Sequence, residues 1–127
     1  MSEINNPLAW VEKAEEDFAL AKSSLQRRKP LATGACFHAQ QCAEKYLKAL
    51  LVYKETEFPK THDLLLLSNL CTEAGILLEI APKLLNTLTD HAVRTRYPGE
   101  GPTSEDAKEA MEIAKPIRSF SRKFMGL

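Results

Sequence analysis

Apolar residues recur along this chain at spacings of three and four, and no stretch alternates with period two for long enough to form a strand. Trp10, Ala14, Phe18, Ala21 and Leu25 trace one face of a first helix over about residues 7 to 28. Asn6 can cap it, Pro7 suits its first turn, and its acids (Glu12, Glu15, Glu16, Asp17) precede its bases (Lys22, Arg27, Arg28, Lys29) in the order the helix dipole favours. A second helix, about 33 to 54, carries a broad apolar face from Ala35 to Tyr53. Its alanine-rich half admits close approach of a neighbouring helix. On another face His38, Gln41, Lys45 and Lys48 form a polar stripe about three turns long.

The third helix begins near Thr61-His62-Asp63, with Thr61 or Asp63 as cap, and ends near Gly75. Its four consecutive leucines, Leu64 to Leu67, predict burial on more than one face. A fourth helix opens near Pro82, includes Leu84, Leu85, Leu88 and Ala92, and is stopped by Pro98. The fifth begins after the acidic turn Thr103-Ser104-Glu105-Asp106 and ends among Arg118, Arg122 and Lys123. Ala107, Ala110, Ala114, Ile117 and Ser121 trace its small-residue face. The fold class is all-α: an antiparallel, up-down bundle of four to five helices in one domain spanning residues 1–127.

Composition narrows the function. Lys plus Arg equals Asp plus Glu at 17 each, and zero net charge argues against a general polyanion binder while allowing a local basic groove. It also lowers the barrier to self-association. Cys36, Cys42 and Cys71 form no CxxC pair or zinc spacing, and they read as small buried hydrophobes of a reducing, cytoplasmic compartment. His38, His62 and His91 lie far apart in sequence, so neither a metal site nor a cofactor is expected, and no glycine-rich phosphate loop occurs. No secretion signal and no apolar run of membrane-spanning length is visible.

Three strings carry candidate chemistry. In Gln40–Leu50, Glu44 and Lys48 are spaced for an intrahelical ion pair, and the alternative has Lys45 and Lys48 facing phosphates. In Phe58-Pro59-Lys60-Thr61-His62-Asp63, His62 either caps and packs or meets a substrate. In His91-Ala92-Val93-Arg94-Thr95-Arg96-Tyr97-Pro98, two arginines and a tyrosine at a helix end either satisfy terminal carbonyls or contact an anion.

Taken in order, A-E-K-x-L-K-A-L-L (from Ala43), P-K-T-H-D-L (from Pro59) and R-Y-P (from Arg96) resemble the HEPN family, named for higher eukaryotes, prokaryotes and nucleotide binding. The resemblance implies a homodimer, a link to nucleotides or RNA, and action beside a minimal nucleotidyltransferase in toxin–antitoxin or related two-protein systems. Many members are metal-independent ribonucleases whose signature is an Arg followed four to six residues later by His, presented at the dimer cleft. That signature is missing here. Nothing after His91 is histidine, and Arg27 and Arg28 are followed at those offsets by Leu31, Ala32, Thr33 and Gly34. The expected function is therefore a non-catalytic or weakly active domain that binds a nucleotide or RNA, a minimal nucleotidyltransferase partner, or both, with Lys45, Lys48, His62, Arg94, Arg96 and Tyr97 as the candidate contacts. The alternatives are a ribonuclease using His91 or His62, and a purely structural dimerisation module.

Overall fold

The structure is a computed structural model that describes residues 3–93 and 98–127. After a short 3-10 turn (Glu3–Asn5) come five helices: α1 (Pro7–Gln26), α2 (Ala32–Tyr53), α3 (Leu64–Glu73), α4 (Pro82–Val93) and α5 (Ser104–Phe124). No described residue lies in a strand. The expected all-α bundle is the observed one, and helix limits move by only a few residues; the stretch of α4 expected between Val93 and Pro98 lies outside the described residues.

The ends follow local chemistry. Asn6 Oδ1 accepts from the Leu8 amide with Pro7 in the first turn, as expected. Asp63, rather than Thr61, caps α3 by accepting from Leu66 N at 3.1 Å. Thr103 and Asp106 satisfy each other's amides in a capping box on α5. α3 closes with Ile76 N bonded to Cys71 O and Gly75 N to Thr72 O, which requires the positive φ of 84° that Gly75 supplies without a Cβ clash. One expectation is corrected. The acids and bases of α1 do not complement its dipole, since Glu12 and its neighbours lie beyond the first turn and Arg27, Arg28 and Lys29 follow the last residue. The dipole field falls off within one turn.

α2 is the central element. Its residues Ala35, Cys36, Ala39, Cys42, Ala43, Tyr46, Leu47 and Ala49 to Leu51 are fully buried. α1 lies antiparallel on it: Ser24 is beside Gly34, Glu15 meets Tyr46, and Trp10 sits over the Lys48 ammonium. The small residues of α2 thus serve packing inside the protomer, because a row of alanines lets two backbones approach. α5 packs against α2 with Ala107, Ala110, Ala114, Ile117 and Ser121 buried, as its small-residue face predicts. The leucine run of α3 divides its faces: Leu64 and Leu67 are fully buried, whereas Leu66 is exposed. Burial on several faces was expected; one face of this short helix remains in solvent. α5 continues through Pro116, a break in the helical ladder that the pattern of apolar residues did not reveal.

All three thiols are buried, as expected. Burial pushes both Cys42 and Cys71 up to about 12, so neither is a thiolate at neutral pH.

α5 is tied to α1 and α2 by one acid. Arg118 donates to both Glu15 oxygens (2.7 and 2.8 Å), and the Tyr46 hydroxyl donates to the same carboxylate. Arg122 Nη1 lies 3.4 Å from that hydroxyl, and the Arg118 guanidinium stacks 4.2 Å over Phe18. The Arg118 hydrogen bonds hold the Glu15 carboxyl below its ordinary value, against the opposing pull of burial. A carboxyl depressed in the folded state stabilises fully above its unfolded value, about 4.3, and loses that contribution as pH falls through the folded value. The melting temperature of the protein should therefore exceed that of Glu15→Gln most at neutral pH. The gap should begin to narrow as pH falls below about 4.3, the unfolded value; a gap that stays constant as acid is added until the protein unfolds would contradict this role.

Candidate functional site

A polar seam runs along the junction of α1, α2 and the segment before α3. Its centre is Asp17, a carboxylate only 5% exposed in the midst of α1. His38 Nδ1 lies 2.7 Å from Asp17 Oδ1, and the Lys45 ammonium donates to Asp17 Oδ2. A carboxylate only accepts, so the imidazole donates from Nδ1 and its Nε2 is turned away from Asp17. His38 and Lys45 are seven residues apart on α2, two turns along one face, and one buried acid on the adjacent helix spans them. Both are about one quarter exposed. The ammonium retains two further donors, and His38 Nε2 has no partner among the described residues.

A second acid repeats the arrangement. Glu44 is 3% exposed, accepts from Lys48 at 3.1 Å, and lies 2.9 Å from His62 Nδ1. Gln40 bridges Glu44 Oε1 and the His62 carbonyl, and Gln41 donates to Gln40 at 2.8 Å. The Lys48 ammonium lies 5.6 Å from the Trp10 ring centroid and 6.0 Å from that of Phe58, and the two rings meet edge to face. The expected Glu44–Lys48 ion pair is thus present. Lys48, placed by sequence on an open stripe, is turned inward and enclosed, because the aromatic rings and Glu44 cover its charge.

The remaining candidates separate. Lys45 and His62 border the seam, and His62 is 83% exposed at its side chain. His91 is buried at the α4–α5 contact, with Nε2 2.7 Å from Glu109 Oε1 and no Nδ1 partner among the described residues. Arg94, Arg96 and Tyr97 lie outside the described residues. Asp17 is the residue that sequence reading missed. The signal was faint but present: Asp17 follows Ala14 by three and precedes Ala21 by four, which places it on the buried stripe. His38 was recognised on the polar stripe, but only the fold supplies the acid that orients it.

Among the described residues no group of three or more His, Cys, Asp or Glu is placed to hold a metal ion, and no helix is long and apolar enough to cross a membrane. The seam can present an oriented imidazole beside an ammonium, a pair suited to a phosphate or to moving a proton at one.

Comparison with known proteins identifies the family of the fold. The chain is 29% identical, over 91% of its length and 86% of the relative's, to the protein named Putative toxin MJ1304 from Methanocaldococcus jannaschii. Its fold is similar to the crystal structure of TT1696 from Thermus thermophilus (TM-score 0.71, 28% identity), covering 94% of this chain and 98% of that one. It is also similar in fold to ST0689, an archaeal HEPN homologue (TM-score 0.69, 24% identity), with the same coverage of both chains. The model of the HEPN domain matches residues 8–124, from the first turn of α1 to the end of α5, and the chain belongs to the HEPN domain family.

Proposed function

We propose that this HEPN domain binds a phosphate-bearing ligand, a nucleotide or RNA, along the α1–α2 seam, as one member of a toxin–antitoxin-like pair whose other member is a minimal nucleotidyltransferase. The observation that carries the reading is the single buried carboxylate of Asp17 holding His38 and Lys45 side by side at the surface. Lys45 supplies charge with two donors to spare, His38 supplies a directed N–H or lone pair, and His62 extends the face. Arg94, Arg96 and Tyr97 remain proposed contacts from sequence alone. Lys48 belongs to the scaffold in this reading. The toxin name of the archaeal relative supports the two-protein setting.

A second reading is favoured by the same dyad. An imidazole oriented through Nδ1 by a buried carboxylate, with Nε2 turned outward, is the arrangement of a general base. Ribonuclease activity would then use His38. His91 is poorly placed for it, being buried with Nε2 committed to Glu109. Incubating the protein with labelled single-stranded RNA, with and without His38→Ala, separates the readings. Cleavage that His38→Ala abolishes, while binding survives, selects the enzyme.

The domain is also expected to act as a homodimer. Since the alanine row of α2 is filled by α1, the pairing surface must be another one. Light scattering at micromolar concentration should give twice the mass of one chain, and a monomer would refute it. For the seam, Lys45→Ala should weaken nucleotide or short RNA binding by roughly ten- to a hundredfold, the equivalent of ~1.5–3 kcal/mol for one charge-assisted contact. Titration showing unchanged affinity would remove Lys45 from the site. Lys48→Ala should act on stability instead, lowering it by about 1–3 kcal/mol, because Glu44 loses its cation and two rings lose their charge partner. Denaturant melts distinguish the two effects.

A further inference from the structure

Away from the seam, a groove of about 620 Å³ lies between the 77–81 segment, α4 and α5. Its walls are apolar, with Leu84 on α4 facing Ile117 and Phe120 on α5. Leu77 stands at its edge with 76% of its surface exposed, which is costly for a large aliphatic side chain that nothing covers. The charged residues of the lining are all acids: Glu79, Glu109 and Glu112. Glu109 meets His91, whereas Glu79 and Glu112 have no ion-pair partner among the described residues. Pro116, inside α5, has no N–H to return the helical bond to the Glu112 carbonyl, and both residues line the groove.

We infer that this groove seats an amphipathic helix of a partner protein, its leucine-like face on the apolar floor and its lysines or arginines on the acidic rim. Charge complementarity selects this occupant. Covering the carboxylates with a neutral or acidic surface leaves Glu79 and Glu112 desolvated and unpaired, which costs far more than the apolar contact returns. Cationic side chains answer both acids. The lining selects a helix over a compact ligand, since it is shared among three elements, the 77–81 segment, α4 and α5. Helix-in-groove docking uses this combination of apolar anchors and flanking charge. The inference does not depend on the ligand of the α1–α2 seam, which uses other residues.

The test uses the whole protein and three labelled peptides: leucines and lysines in amphipathic helical order, the same peptide with glutamate for lysine, and a scramble of the first. Fluorescence anisotropy should show saturable binding of the first peptide, with the other two at least tenfold weaker. Glu79→Gln combined with Glu112→Gln should weaken that binding about tenfold, and Leu84→Asp should abolish it. All three positions are exposed, so folding should be retained, and circular dichroism verifies this. Amide exchange should slow at residues 77–84 and 109–120 when the peptide is bound. Equal binding of the glutamate peptide or the scramble, unchanged binding to the variants, or protection elsewhere would overturn the proposal. So would a wild-type dimer that Leu84→Asp converts to monomer, which would assign the groove to a second copy.

Discussion

Burying a carboxylate costs several kcal/mol unless cations and hydrogen bonds repay it, and α1 carries a buried acid, Asp17, and a half-buried one, Glu15, on opposite flanks of its contact with α2. Residues two apart on a helix point about 200° away from each other. Asp17 is answered by His38 and Lys45 on one flank, and Glu15 by Tyr46, Arg118 and Arg122 on the other. Cys42 lies buried between the two groups and senses the charges of both. Rotation of α1 about its axis would strand both acids at once, and a slide along α2 would separate each from its partners. Apolar packing of alanines tolerates small slides; two paired acids do not. Register therefore rests on this pair, and the placement of Trp10 over Lys48 and of Gly34 beside Ser24 follows from it.

The same constraint joins fold to chemistry. A buried acid that only held helices together would do as well with two arginines. Asp17 instead holds one imidazole and one ammonium at the surface, and Glu44 likewise holds an imidazole, His62, and an ammonium, the enclosed Lys48. The two sets differ in exposure. Lys48 is enclosed by Trp10 and Phe58, so the Glu44 set stabilises the start of α3 against α2. Lys45 remains accessible, so the Asp17 set presents donors outward. One architecture repeated twice thus yields a structural joint and a candidate ligand face, separated by the two aromatic rings that cover one lysine.

Membership of the HEPN family accounts for the bundle, and the fold places the acidic groove of α4 and α5 away from the polar seam of α1 and α2. Pro116 is instructive there. A proline in a helix interior costs stability through the lost hydrogen bond, and in this chain the loss falls at an exposed position on the wall of the groove. The α1–α2 seam is rich in donors and the groove in acceptors, so the two surfaces suit ligands of opposite charge.

Helix number, order and caps were legible from the residues because they are set locally. Asn6, Asp63 and Thr103 bond amides within three positions, and the spacings of three and four on α1, α2 and α5 bring apolar residues to one face whatever the rest of the chain does. The Glu44–Lys48 pair was readable for the same reason. His38 and Lys45 were visible as a stripe, yet their meaning depended on Asp17, which is 21 and 28 residues away from them. Spacing along one helix reveals which residues share a face, not which face another helix will cover. Lys48 shows the same limit: its charge reads as exposed until Trp10 from α1 and Phe58 from the following loop close over it. Tertiary structure decided which charges were buried, because burial is a property of the neighbours that fold against a residue, and those neighbours come from distant sequence.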